Sequence, residues 1–320
     1  MYIKLQYLCK MKTILTLKDS ICRSNTDDPG SNPVNGLKQV QGTCSQEDGP
    51  INSLKQAQSI LLYLACSKLQ HYVPEDIWEH PTIREKLRMF DGQVDASELF
   101  HRLLFVLDEI LKSKGMFQLY GIVFGSSFTE QAICNICKHE KKGKSSFCTI
   151  SLDVLKMMNV QESLYQMFKP IEINKYKCEK CQKINKTQKS ISLTTLPAVL
   201  VLQLKRFDYD WDKECCVKLN DYLEFSEEID MSPYTLHSND IDTTYKLTGI
   251  LTHDGDASGG IYISYVKYSL IGKEMWYKLS RNVTECIMDE NLLEQKCFGG
   301  VGTCNAYMLF YTRFYASEHF

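Results

Sequence analysis

No stretch of this 320-residue chain approaches the roughly 20 consecutive apolar residues that cross a bilayer. The longest apolar runs, "ILLYLAC" and "LPAVLVL", fall far short of that length. Charge of one sign is missing too. The 37 Lys and Arg against 39 Asp and Glu leave a formal net charge of -2, so no global basic field draws the chain to nucleic acid or to an anionic membrane. The amino-terminal "MYIKLQYLCKMKTILTLK" lacks the unbroken apolar core of a secretory signal, because lysines interrupt it every few residues. No internal repeat is visible. These absences lead to the expectation of a cytoplasmic protein with neither nucleic acid nor membrane as partner. In that reducing compartment the 14 cysteines are expected to be thiols or metal ligands rather than a disulfide framework.

What is present fits a globular chain with a substantial core: 44% hydrophobic and 24% charged residues. Residues 1–22 read as a short helix, with Ile3, Tyr7, Leu8, Met11 and Ile14 close to a helical stripe. Residues 23–52 are rich in Ser, Asn, Asp, Gly and Pro and read as a mobile insert. Residues 53–118 return to helix, since "SLKQAQSILLYLACSKLQ" and "DASELFHRLLFVLDEILKSK" repeat apolar residues at i, i+3, i+4 and i+7. From residue 119 to 320 the pattern becomes β-like, in segments such as "AVLVLQLKRFDYD", "YKLTGILTH", "IYISYVKY" and "AYMLFYTRF". The expected class is α+β: a helical lobe followed by a mostly antiparallel sheet lobe.

Two Cys-x-x-Cys pairs, Cys134 with Cys137 and Cys178 with Cys181, stand 40 residues apart. Two such knuckles can set four thiolates at the corners of a tetrahedron, which suits a structural Zn²⁺ with no open coordination position. Four free thiols at turns is the alternative. Cys148 and the Cys215-Cys216 pair have no matching spacing and are expected to be packed thiols. Tyr262, Tyr265 and Trp276 read as core aromatics.

The motifs "DGQVDASELFHRLL", "FGSSFTEQAICNIC", "YKCEKC", "LPAVLVLQLKRFDYD", "YKLTGILTHDGDASGGIYISYVK", "WYKLSRNVTEC" and "NAYMLFYTRF" occur in the order of the catalytic domain of ubiquitin-specific proteases. In its wording the chain is similar to the fat facets branch of that family. The resemblance covers nearly the whole chain. It implies a papain-like cysteine protease fold of thumb, palm and fingers with an incomplete thumb, a zinc site in the fingers, and ubiquitin or ubiquitinated proteins as partners. It also implies thiol-dependent cleavage of the isopeptide bond after the ubiquitin tail, which needs a Cys nucleophile, a His base and an Asp or Asn that orients the His.

The resemblance fails at those three positions. Ile261 stands where the family has its His, between Gly260 and Tyr262, and it can neither accept a proton nor hold a cysteine as thiolate. Ser280 stands where the family has its orienting acid. His253 matches a different His of the family, not the base. Cys44, in "GLKQVQGTCS", has the Gly-Leu and Thr-Cys of the nucleophile box but lacks its asparagines, one of which would be an oxyanion donor. Cys44 is therefore either a weak nucleophile candidate or part of the 23–52 insert, and "YIKLQYL" then matches the helix after the missing box. The expectation is an inactive, ubiquitin-binding relative of the proteases, with an active deubiquitinase as the alternative. For ubiquitin binding the resemblance points to Asp95, Glu98, Phe124, Gly259, Gly260 and Tyr262. Asp95 would face the arginines of the tail, or else lie on a solvated helix face. Phe124-Gly125 and Lys205-Arg206-Phe207 match the family's palm, and the basic pair is as easily an ordinary sheet-edge charge.

Overall fold

The structure, a computed structural model, describes residues 94–113, 120–236, 242–270, 273–280, 283–287 and 296–313. The expected helix at 1–22, the insert at 23–52 with Cys44, and most of the first helical segment lie outside these residues. Helix α1 (Ala96–Ser113) is the described part of the helical lobe. Among the described residues beyond it are a π-helical turn at Tyr120–Phe124, fourteen strands and a second α-helix, α2 (Val160–Phe168). The fold is thus the sheet-rich α+β architecture expected. Among the described residues, no helix is long and apolar enough to cross a membrane.

The strands form two main sheets and a small hairpin. Strands β1 (Ser126–Cys134), β2 (Glu140–Phe147), β4 (Ile171–Lys177) and β5 (Ile184–Thr195) make a four-stranded antiparallel sheet in the order β2-β1-β5-β4. The larger, eight-stranded sheet includes β3 (Ile150–Asp153), β6 (Val199–Lys205), β9 (Glu228–Asp230), β10 (Thr244–Gly255), β11 (Gly260–Leu270), β12 (Lys273–Ser280), β13 (Val283–Ile287) and β14 (Asn305–Arg313). Its main path runs β13-β12-β11-β10-β14-β6-β3, with β9 beside β10, and only β3 and β6 pair in parallel. Strands β7 (Phe207–Asp210) and β8 (Cys215–Lys218) pair as a separate hairpin.

Central strands β6 and β14 are covered on both faces, which is why they read as continuous apolar runs rather than alternating ones. Leu200, Leu202 and Leu204 enter the main core with α2, while Val199 and Val201 face α1 across a second core holding Leu99, Phe100, Leu103 and Phe310. Tyr265 and Trp276 are buried in the main core as expected. Helix α2 was not expected from the apolar pattern. Its signal lies in its start, where Asn159 Oδ1 accepts the Glu162 backbone N–H at 2.7 Å and the Glu162 carboxylate accepts the Met158 N–H at 2.8 Å.

Two expectations about side chains are corrected. Cys148 is a buried thiol, but Cys215 and Cys216 are exposed, because the two-stranded β7–β8 hairpin has no second layer to pack against them. Lys205 is exposed and pairs with Asp153, whereas Arg206 is not an edge charge at all: it is fully buried. The chain turns out of interior strand β6 at that point, and the guanidinium goes inward. Its Nε donates to Ala306 O (2.5 Å), Nη1 to Leu219 O (3.0 Å) and Asp221 O (2.9 Å), and Nη2 to Phe298 O (3.2 Å). Burial draws its pKa down to about 10, with Asp221 opposing.

Replacing Arg206 leaves four carbonyls to find water or go unsatisfied. Arg206→Met should therefore cost about 3–5 kcal/mol, read as a lowered urea midpoint. Arg206→Lys should recover little of that, since an ammonium cannot reproduce the planar fork. A loss under about 1 kcal/mol in Arg206→Met would show that water can replace the guanidinium.

Candidate functional site

Strands β10 and β11 meet in a turn closed by its own Asp256. Asp256 Oδ1 accepts the Ser258 hydroxyl (2.6 Å) and the backbone N–H groups of Ser258 (2.8 Å) and Gly259 (3.2 Å), and these bonds hold the carboxyl below its ordinary range. Two glycines are required here. Gly255 sits at φ +138°, and a Cβ on it would lie 2.3 Å from Gly259 O. A Cβ on Gly260 would lie 2.3 Å from Asp254 O and 2.6 Å from Nε2 of His253. The His253 imidazole thus rests against the Gly260 backbone, with Phe207 and Tyr262 edge-on to it at 5.1 and 4.9 Å.

Beside this turn opens a cavity of about 1100 Å³, bounded by the start of α1 and by the β7–β8 hairpin. Asp95, Phe207, His253, Gly259, Tyr262 and Tyr307 are among its lining residues. Asp95 caps α1: its Oδ1 accepts the N–H groups of Ser97 (2.9 Å) and Glu98 (3.0 Å). Its Oδ2 accepts the hydroxyls of Tyr307 (2.6 Å) and Tyr262 (3.4 Å). Burial first, and then this carboxylate, push both tyrosines above their ordinary range. Neither a plain solvated face nor a free carboxylate describes Asp95, which ties helix, sheet and cavity wall together.

The other expected binding residues divide. Gly259 and Tyr262 reach the cavity wall, and Gly260 stands behind it as the seat of His253. Glu98 pairs instead with Arg102 one helical turn on, on the exposed side of α1. Phe124 is buried, edge-on to Phe100 at 5.3 Å, and is a core residue.

Ladder register locates Ile261 and Ser280, the positions that the resemblance matches to the family's base and orienting acid. Tyr262 lies opposite His253 and Ile261 opposite Asp254, so Ile261 points to the other face of the sheet from the His253 ring. Ser264 lies opposite Leu279 on β12, which puts Ser280 on the same face as Ile261. Ile261 is 52% exposed, and neither it nor Ser280 lines the cavity. Cys44 lies outside the described residues.

Lys218 braces the site from below. Its ammonium donates to His253 O (2.9 Å), Gly255 O (3.1 Å) and Thr303 O, joining the hairpin to the turn and to the start of β14. Burial, and then Arg206, push it down to about 8.

The four paired cysteines converge at the end of the four-stranded sheet. Their sulfurs all lie within 4.8 Å of one another, Cys134 to Cys181 at 4.0 Å and Cys137 to Cys178 at 3.6 Å. A tetrahedron of metal–sulfur bonds near 2.3 Å has edges of about 3.8 Å, so the four thiols fit one metal ion. Each knuckle is built alike. The N–H groups of Lys138 and Gln182 each donate to the carbonyl of the first Cys of their knuckle at 2.9 Å, and both residues adopt positive φ, 57° and 56°. Asn185 Nδ2 donates to Cys134 Sγ at 3.2 Å. The Cys137 N–H draws the Cys134 thiol below its ordinary range. Desolvation and the neighbouring sulfurs raise Cys137 against the opposing His139 N–H.

Phe207 was matched to the family's palm with Lys205 and Arg206, whereas Tyr307, Lys218 and Asn185 were not singled out in the sequence. Tyr307 had a signal, a polar tip inside the apolar "NAYMLFY" run. Lys218 had none, because its acceptors are backbone carbonyls.

Residues 3–311 match the family model described as ubiquitin carboxyl-terminal hydrolase. The chain is 38% identical over 283 residues to ubiquitin carboxyl-terminal hydrolase 9X of Mus musculus, covering 78% of this chain and 11% of that protein. It is 38% identical over 303 residues to probable ubiquitin carboxyl-terminal hydrolase FAF of Drosophila melanogaster, with coverage of 81% and 11%. To ubiquitin carboxyl-terminal hydrolase 24 of Homo sapiens it is 31% identical over 317 residues, with coverage of 83% and 12%. The chain thus spans only 11–12% of the length of these relatives.

The Lys218 brace has a pH signature. Below pH 8 the lysine is charged in both folded and unfolded chains, and the folded state bears the desolvation cost. Between about 8 and the ordinary 10.5 the unfolded chain holds the extra proton, so this group's contribution to stability rises with pH. In urea titrations from about pH 7 to 9.5, the stability of the native chain relative to Lys218→Met should climb with pH. A difference that stays flat would mean that the ammonium is solvated.

Proposed function

From the premise that this chain belongs to the ubiquitin carboxyl-terminal hydrolase family, we propose that it binds ubiquitin without cleaving isopeptide bonds. The chain has the papain-like cysteine protease fold. We read the eight-stranded sheet as its palm, the four-stranded sheet as its fingers, and the 1100 Å³ cavity as the place of the ubiquitin tail.

One observation carries the reading. The position of the family's base holds Ile261, and the nearby imidazole of His253 lies on the opposite face of the sheet, seated against Gly260. A strand cannot swap its faces without slipping register by one residue, which would turn every core side chain outward. His253 therefore cannot stand in for the missing base, and Ser280 has no imidazole to orient. Loss of a triad member ordinarily costs about four orders of magnitude in rate. What supports binding is that the cavity wall is built from fixed parts: the Asp256-closed turn, the two glycines and the Asp95–Tyr307 tie.

We further infer that the four cysteines hold one structural Zn²⁺. Four soft thiolates in tetrahedral array suit this ion and leave no position open for water or substrate. When bound, zinc would clamp the two knuckles together and do no chemistry on ubiquitin.

Turnover of a ubiquitin–fluorophore amide tests the first proposal. The chain should show no hydrolysis, yet bind ubiquitin in a fluorescence anisotropy titration. Ile261→His with Ser280→Asp should still give no turnover, because base and orienter need a nucleophile opposite them. Hydrolysis by the native chain that Cys44→Ala abolishes would overturn the reading in favour of an active deubiquitinase. For the metal, elemental analysis should find about one zinc per chain, and Cys178→Ser should lower both zinc content and melting temperature. A purified chain that neither carries nor takes up zinc would refute the assignment.

A further inference from the structure

The two cysteine knuckles are built to one plan. The Cys134 N–H donates to His139 O at 2.9 Å and the Cys178 N–H to Lys183 O at 3.1 Å, so each knuckle is closed by the carbonyl five residues on. Past that closure the chain enters β2 in the first case and β5 in the second. The seventh residue after the first cysteine is Lys141 in one knuckle and Asn185 in the other. Each reaches across to the opposite knuckle. Lys141 pairs with Glu179, and Asn185 Nδ2 donates to Cys134 Sγ at 3.2 Å. The plan is symmetric but the contacts are not. Lys141 and Glu179 are exposed partners, whereas Asn185 touches a cysteine that is fully buried.

The other partners of Asn185 fix which way its amide points. Oδ1 accepts the hydroxyl of Thr187, itself fully buried, at 2.8 Å. Nδ2 also donates to Lys183 O at 3.3 Å. A carbonyl only accepts, so the end of the amide beside Lys183 O and Cys134 Sγ is the nitrogen. Lys183 O is the same carbonyl that closes the second knuckle, so one amide joins that closure to a sulfur of the first. Cys134 Sγ also accepts from the backbone N–H groups of Cys137 and Ile136. Cys178 is just as buried, yet among the described residues Asn185 is the one side chain whose N–H donates to any of the four sulfurs.

We infer that Asn185 is a positioning residue of the metal centre: it stabilises the thiolate of Cys134 and ties the two knuckles at the spacing that one ion needs. The inference rests on the reading of the four cysteines as a zinc site. Four thiolates around one divalent ion make a doubly negative cluster in a partly buried place. An N–H group aimed at a thiolate is a charge-assisted donor, roughly twice as strong as a neutral one. Thr187 and Lys183 O, which aim the amide, lie outside the ligand set, so its direction does not depend on the ion. Outer partners of this kind carry about ten- to hundredfold in metal affinity. Asn185 acts without joining the ligands, and the centre keeps four sulfurs and no open position.

The test loads the whole chain with Co²⁺ in place of zinc. It reads the sulfur-to-cobalt charge-transfer band, and the affinity against a competing chelator. Asn185→Leu keeps the size of the side chain and removes the N–H. Its charge-transfer band should move to longer wavelength, because a thiolate that has lost a hydrogen bond gives up electron density more easily. Its affinity for cobalt should fall by roughly tenfold. Lys141→Gln breaks the mirror contact without touching a sulfur, and should leave the band where it is. If Asn185→Leu fails to fold, Asn185→Val, which suits a strand, takes its place under the same criteria. An unshifted band with unchanged affinity in the Asn185 variant would overturn the role of Asn185 and leave the zinc reading standing. An equal shift in Lys141→Gln would overturn it as well, since the effect would then follow from loosened knuckles. A native chain that takes up no cobalt would overturn the zinc reading, and this role with it.

Discussion

The palm is organised around a single buried cation. Arg206 leaves the end of β6 and reaches the start of β14, the chain that follows β8, and the segment just before β14. Without it those segments are separate loops over the end of a sheet. With it they form one floor, and Gly299 at φ +90° is packed so closely there that a Cβ would lie 2.8 Å from Asp221 O. Lys218 and the His253 seat stand on that floor, so the shape of the cavity depends on a fully buried charge. Four carbonyls, rather than a carboxylate, balance the guanidinium. Carbonyl dipoles are fixed by the backbone, so such an arrangement holds chain direction more than it holds charge.

This explains how the fold can hold its form whatever side chain stands at position 261. Ile261 is half exposed on a strand, where a β-branched residue is as well accommodated as a histidine. The fold places almost no demand on that side chain. Gly260, one residue earlier, is constrained by backbone oxygen on one side and by an imidazole on the other. The fold thus constrains one residue of this turn tightly and leaves its neighbour free.

Legibility in the sequence follows the same division. Strands β6, β10, β11 and β14 were plain, because burial on both faces or one imposes runs or alternation on the residues themselves. The cysteine cluster was plain because its two halves are each local. Helix α2 was missed because it is short and its cap, Asn159 with Glu162, is weaker than the surrounding β pattern. Arg206 beside Lys205 looked like surface charge, since nothing local reveals that its acceptors lie up to 100 residues away. The double role of Asp95 depends on Tyr307, 212 residues distant. Contacts of that separation leave no periodicity to read.

The two cysteine knuckles have a topological consequence. Between Cys137 and Cys178 the chain does not stay in the smaller sheet. It leaves after Phe147, pairs with β6 as β3, runs through the main core as α2, and returns at Ile171. A metal joining the knuckles would therefore close a ring of chain that passes through the other sheet. The two sheets are then links rather than neighbours: neither can come apart fully while the ring is shut, and opening the ring at its far end loosens a strand and a helix deep in the core.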